Sequence, residues 1–291
     1  MRTVRLIRRV LAADGTGPGN GQYALQRALR QRIRQGLDWL AIGGAAQPGE
    51  LPWFWCWKDR AAAVRWARAG EPFVQGPNTF FLDSRRPGAD ALERALLDSP
   101  QCRMMFTESE WYRDLVLRWR GRESRAEIVL WPYPIDPRPR GPLHPPQYDV
   151  LIYVKSGRLA RLGQGLESSF PRPVTVHYGR FRRESLWEAA RRSACCCYLA
   201  DDDRGPLALA EILLCGCPAV GLPTGAPFLR PNTSGVWIES LRPEAWIEAV
   251  EACRAISREH VSEWARREFD PARIASIVLG ALDRARRGVA R

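Results

Sequence analysis

The chain has 291 residues, 45% of them hydrophobic and 26% charged, with a formal net charge of +12. This is enough for one large or two modest globular domains, and no apolar run approaches the roughly 20 residues of a membrane-spanning helix. The basic excess favours anionic partners such as nucleotide phosphates or an acidic membrane face, while the absence of a stripe of arginines interleaved with aromatics argues against a nucleic-acid reader.

In chain order, MRTVRLIRRVLAADG reads as a first strand, because Arg8 and Arg9 interrupt the apolar run that a secretory leader would need. DGTGPGNGQYALQ (14–26) is a Gly-rich turn into a helix that runs to Gly36. Its glycines at 15, 17, 19 and 21 miss the dinucleotide-binding spacing, so it is either a flexible loop or a close backbone approach to a ligand. LDWLAIG, EPFVQG and QCRMMF are further strands. Between the first two of these, Trp53, Trp55 and Trp57 alternate along one face of an extended segment; core packing is the plain reading and a stacking platform the functional one. Thr107 and Glu110 have capping-box spacing and predict a helix start after QCRMMF.

WPYPIDPRPRGPLHPPQ (131–147) carries seven prolines and forms a semi-rigid connector. Beyond it, YDVLIYV, PVTVHYG, ACCCYLA and CPAVGL are strands, separated by helices at 183–193 and 206–215, and the tail is helical nearly throughout. The alternation predicts two parallel-sheet α/β domains, 1–130 and 148–291, facing a cleft across the 131–147 linker, with ligands at the carboxyl ends of strands. The last helix is free to pack back on the first domain. Eight cysteines, with no CxxC pair and three of them consecutive in an apolar run, read as reduced core thiols.

The richest stretch is CYLADDDRGPLALAE (197–211). Asp201, Asp202 and Asp203 lie just past a buried strand. Gly205 permits a tight turn, Pro206 suits the first helical position, and the helix that follows ends at Gly216. First-turn amides at such a helix suit a phosphate. Glu211 sits among alanines and leucines; it is either an exposed helix position or a carboxylate that needs a partner.

Here the residues resemble a family. ESLWEAARRSACCCYLADDDRGPLALAEILLCGCPAVGLPTGAPFL (184–229) resembles the donor-binding signature of retaining, nucleotide-sugar-dependent GT-B glycosyltransferases (group 1, family 4-like): an acidic loop, a helix carrying Glu, then Cys-Gly-x-Pro. Asp203 and Glu211 have the family's spacing, although the family usually has Glu where Asp203 stands. SGVWIESLRPEAWIEAVEA, FTESEWYRDLV and VLWPYPIDP are similar to flanking family segments. The second domain has room for only one helix between Lys155 and VTVHYG, where the family has a further strand–helix unit.

The resemblance implies two Rossmann-like domains and transfer of a sugar with retention of configuration, without a metal or other cofactor. Glu211 would hold the nucleotide ribose, Asp203 the donor sugar, and Lys155 the diphosphate, making these the catalytic candidates. Arg158, Arg161, Tyr178, Gly179, Gly205, Leu207 and Ala208 would line the donor site, and Gly17, Gly19, Asn20 and Gly21 a loop for phosphate or acceptor. The partners implied are a nucleotide-sugar donor and a glycan, lipid-linked or small-molecule acceptor, in a cytoplasmic protein with room for peripheral contact at the inner face of an anionic membrane. Two alternatives stand beside this. Asp201-Asp202-Asp203 is also the Asp-x-Asp string with which GT-A enzymes hold a divalent metal, and a non-catalytic binding protein of the same fold would carry the same residues.

Overall fold

The computed structural model describes residues 2–8, 17–78, 90–136, 139 and 141–288. The chain divides into two units. One contains β1 (Val4–Leu6), α1 (Gly17–Arg34) from Gln22 onward, β2 (Leu40–Ile42), β3 (Leu51–Cys56), α2 (Arg60–Arg68), β4 (Phe73–Asn78), α3 (Ala91–Leu97), β5 (Cys102–Thr107), α4 (Glu110–Trp119) and β6 (Glu127–Leu130). The carboxyl-terminal helix α10 (Pro271–Arg287) also belongs to it. The other unit takes the start of α1 through Gly21 together with Ile135–Asp270. Its elements are β7 (Val150–Val154), α5 (Ala160–Ser169), β8 (Pro173–His177), α6 (Arg183–Arg191), β9 (Cys196–Leu199), α7 (Leu207–Leu214), β10 (Ala219–Gly221), β11 (Gly235–Trp237), α8 (Pro243–Arg254) and α9 (Arg258–Glu268).

Each unit is built on one sheet with parallel pairings, ordered β2-β1-β3-β4-β5-β6 in the first and β11-β10-β9-β7-β8 in the second. Counted within its own sheet, the second winds 2-1-3-4-5, and the first begins in the same order. The winding therefore reverses between β1 and β3 in one sheet and between β7 and β9 in the other. Such switch points are where open α/β sheets bind ligands, at the carboxyl ends of the strands.

The sequences of the central strands explain their place. Val-Leu-Ile-Tyr-Val (β7) and Cys-Cys-Tyr-Leu (β9) are buried at every position, as a strand covered on both faces must be. In α10, Ile274, Ala275, Val278, Ala281, Leu282 and Ala285 form one apolar stripe and join the core of the first unit. Trp53 and Trp55 stack in that core at 4.8 Å between ring centroids, with Phe106 and Trp131 against Trp53.

Several local expectations shift. The first described strand is only Val4–Leu6, and residues 9–16, including Gly15, lie outside the described residues. Trp57 leaves the tryptophan face for a short 3-10 turn and is exposed. Thr107 ends β5, one residue further than the capping pattern supposed, and the N-cap of α4 falls two residues later, at Ser109, whose side chain makes no cap bond. The described residues of the proline-rich segment divide between the two units. Trp131 and Tyr133 are buried in the first unit, and from Ile135 the chain belongs to the second, where Ile135 N–H donates to Phe269 O at 3.1 Å. All eight cysteines are free thiols and seven are buried. No helix among the described residues is long and apolar enough to cross a membrane.

Candidate active site

Lys155 follows the last residue of β7, and Asp203 lies four residues past β9, so the switch point of the second sheet brings them together. The Lys155 ammonium forms an ion pair with Asp203 Oδ2. The same oxygen accepts from the Tyr198 hydroxyl at 3.0 Å. Tyr198 is the only polar side chain of its strand, and a buried phenol needs a partner. Burial, and then the negative charge of Asp203, push its hydroxyl well above the ordinary range, which keeps it a donor. The Tyr153 ring stacks on Tyr198 at 5.0 Å.

Backbone geometry fixes Asp203. Its N–H donates to Thr224 O at 2.9 Å, and Thr224 Oγ1 donates to Asp201 O at 2.9 Å. This loop lies against the end of β9 because Gly225 has no side chain: a Cβ there would sit 1.7 Å from Ala200 O.

Glu211 is buried, on the inner side of α7, and both its oxygens are engaged. Oε1 accepts from Arg183 Nε at 2.7 Å and Oε2 from Trp187 Nε1 at 2.9 Å. The guanidinium lies over the Trp187 ring, 4.8 Å from its centroid. Burial pushes the Glu211 carboxyl up, and the charge and hydrogen bond of Arg183 pull it back in part. The exposed-helix reading of Glu211 is thereby excluded. Its ribose-gripping role meets a carboxylate already held by two donors.

Asn20 belongs to the same unit. With its amide oriented by its partners, the oxygen accepts from Arg183 Nη2 at 2.7 Å and the nitrogen donates to Asp136 O at 2.9 Å. Gly17, Gly19, Asn20 and Gly21 are not a loop: α1 begins at Gly17, so all four lie in its first turns. The helix outlasts its glycines because the apolar positions Leu25 and Leu29 further along bury it. Pro206 likewise stands at the N-cap of α7 with ψ 88°, and the helix starts at Leu207. Pro206 offers α7 no capping side chain, and the Ala210 N–H donates to Pro206 O, so the Leu207 and Ala208 amides head the helix.

The other predicted donor residues divide. Lys155 lies over the Tyr178 ring at 5.3 Å, and Tyr178 itself is exposed, next to Gly179 in a turn with φ +75°. Arg158 reaches Asp201 at 3.4 Å. Gly205 lies in the bend before Pro206. Arg161 is exposed on α5, and among the described residues no contact links it to this cluster. Asp201 and Asp203 are paired with different cations, and among the described residues no group of three or more His, Cys, Asp or Glu side chains is gathered as a metal-binding set.

Sequence reading missed Arg183, Trp187 and Tyr198. The signal for Arg183 is that it shares a helix stripe with Leu186 and Ala190, all three buried. A buried guanidinium demands a carboxylate.

No family model matches the sequence, and no curated protein matches it. Solved structures do. A sucrose-phosphate synthase from Thermosynechococcus elongatus superposes with a TM-score of 0.68 at 13% identity, over 98% of each chain. Anabaena HepE, solved with UDP and glucose, gives 0.62 at 11% identity, over 97% of this chain and 100% of its own. A glycosyltransferase of avilamycin A biosynthesis gives 0.56 at 15% identity over 98% of each. This chain has the GT-B fold. The GT-A alternative falls with that finding, since a chain of two parallel sheets with separate switch points has a different architecture.

Proposed function

We propose that this GT-B chain is a glycosyltransferase that takes a nucleoside-diphosphate sugar and transfers the sugar with retention of configuration, using no metal. The observation that carries the reading is the Lys155–Asp203 pair at the switch point of the second sheet, with Asp203 in the loop that leads into α7, the helix that carries buried Glu211. Its likeness in fold to a protein solved with UDP supports the donor class.

In this reading the donor diphosphate draws Lys155 from Asp203 and lies between the ammonium and the Leu207 and Ala208 amides. As the bond to the anomeric carbon breaks, negative charge grows on the departing phosphate, and these fixed donors stabilise it. The freed Asp203 carboxylate accepts from sugar hydroxyls. Each carboxylate oxygen has a second lone pair, so Glu211 takes ribose hydroxyls while Arg183 and Trp187 keep it oriented. The leaving phosphate accepts the acceptor proton, and no protein base is required.

Thermal shift with nucleoside diphosphates and their sugars should show saturable stabilisation. Lys155→Ala should weaken it and reduce released nucleoside diphosphate by about 10²–10³-fold, and Glu211→Ala should remove most turnover. A folded Lys155→Ala protein with wild-type binding and turnover would defeat the proposal. An inverted anomeric configuration in the product defeats retention. Activity lost in EDTA and restored by manganese defeats metal independence. Nucleotide binding with no transfer to any acceptor points to the binding-protein alternative.

A further inference from the structure

We propose that the first unit carries a second ligand site, for a phosphate-bearing anion, among Arg103, Arg120 and Arg125 at the amino ends of β5 and β6. A cavity of about 420 Å³ opens there between the starts of these strands, the segment after α4 and the end of α10. That volume falls in the range of roughly 300–1,000 Å³ typical of small-molecule sites. Among the described residues four guanidiniums line it, with Glu127 as the one carboxylate.

The charges do not balance. Glu127 is taken by Arg284 through two contacts, at 2.6 and 3.2 Å. Arg103 donates to the Ala285 carbonyl at 2.8 Å, and Arg120 to the Ala126 carbonyl at 3.0 Å. Among the described residues neither has a carboxylate partner, and Arg125 is exposed. Among the described lining residues, Arg103, Arg120 and Arg125 are thus left without a neutralising carboxylate around one enclosure. Burial, and then the nearby charge of Arg2, push the Arg103 guanidinium down, so it is held in a place that disfavours its own charge. An anion entering the cavity relieves that cost. Each arginine has donors beyond the one used on a carbonyl, in a planar fork that matches phosphate oxygens.

The place of the cavity separates it from the donor reading. Strands β5 and β6 are parallel, with Met104 opposite Glu127, and the cavity is at their amino ends. Donor chemistry in this fold class belongs to carboxyl ends. The ligand is therefore neither the nucleotide sugar nor its diphosphate product at the Lys155 site. The same phosphate chemistry reaches the cavity from two sources, a free phosphorylated molecule or the headgroup of an anionic lipid.

Calorimetric titration of the full chain with inorganic pyrophosphate, in a Lys155→Ala background, tests the site without the donor pocket. Saturable binding is expected there, weakened about tenfold or more by Arg120→Gln/Arg125→Gln, since charge-assisted pairs are roughly twice as strong as neutral ones. Arg125→Glu, at an exposed position, keeps the test open should the double variant fail to fold. Co-sedimentation with phosphatidylglycerol but not phosphatidylcholine vesicles, lost in the same variants, assigns the ligand to a lipid headgroup. Pyrophosphate binding without vesicle binding assigns it to a free molecule. Binding indifferent to the arginine substitutions, or no binding to either probe, overturns the site.

Discussion

The two sheets carry the same device at their switch points in different chemistry. Beyond β1 stands Arg8 and beyond β3 stands Asp59; beyond β7 stands Lys155 and beyond β9 stands Asp203. In each case a cation on the first strand's loop pairs with an aspartate on the third strand's loop. In the first unit the pair is a fork: Arg8 reaches both Asp59 oxygens, at 2.6 and 3.3 Å, and Asp59 also accepts from Cys56 N–H at 3.1 Å. The pair closes the turn into α2 and acts as a brace. In the second unit a single ammonium meets one oxygen that it shares with Tyr198. Of 44 Lys and Arg residues in the chain only Lys58 and Lys155 are lysine, so this position departs from the chain's strong habit of using arginine. An ammonium is a point charge on a flexible stem and can turn from carboxylate to phosphate, whereas a guanidinium fork holds its partner. The difference marks which switch point is built to exchange partners.

The largest expected effect breaks the support beneath the second switch point. Arg183→Met leaves Glu211 buried without its cation and should cost about 3–5 kcal/mol of stability, because an unpaired buried charge is retained. Arg183→Met/Glu211→Leu should recover most of that loss while abolishing turnover, since an apolar pair of similar volume replaces the ion pair. Acidity sharpens the test. The folded-state carboxyl of Glu211 is raised by burial, so its ionisation opposes folding as pH climbs through that raised value. The Arg183→Met penalty should therefore shrink as pH falls toward the ordinary carboxyl range, and urea unfolding at several pH values measures it. A penalty that grows on acidification means that another group is being read.

Next comes the exchange of cations. Lys155→Arg keeps the charge but converts the exchanging pair into a fork like that of Arg8–Asp59. Folding stability should hold, while donor turnover should fall about a hundredfold, the scale on which a small misplacement of a charge stabiliser acts. Steady-state release of nucleoside diphosphate from the folded variant is the measurement. Turnover equal to wild type would mean that Lys155 supplies charge alone and that the contrast between the switch points carries no function.

The elements that position the second switch point were legible in the sequence; the contrast between the two pairs was not. The strand–helix alternation, the burial of Cys196–Leu199 and the spacing from Asp203 to Glu211 are local patterns, and local patterns survive folding. What could not be read was pairing across elements. Nothing near Glu211 in sequence announces that Arg183, 28 residues earlier, holds it. The glycines at 17, 19 and 21 argued for a loop, yet the apolar stripe that continues to Leu29 extends α1 back through them. Tertiary burial there outweighs the roughly 1 kcal/mol by which each glycine disfavours a helix. The Arg8–Asp59 brace went unseen for the same reason as Arg183. Its partners are 51 residues apart.

The smallest expected effect tests that brace. Arg8→Lys should lower stability by no more than about 1 kcal/mol, since Arg8 is partly exposed and solvent screens the pair. It removes one arm of the fork and leaves Asp59 with a single cationic contact and the Cys56 amide, so the turn into α2 loosens but does not open. Nucleoside-diphosphate binding, measured by the same thermal shift, should keep its midpoint, because the second unit alone supplies Lys155, Asp203, Glu211 and the start of α7. The reciprocal substitutions thus have opposite signatures: Lys155→Arg spares folding and impairs turnover, and Arg8→Lys impairs folding slightly and spares binding. If Arg8→Lys instead shifts the binding midpoint with no change in unfolding, the first switch point holds ligand as well, and its arginine pair is a contact surface and no brace.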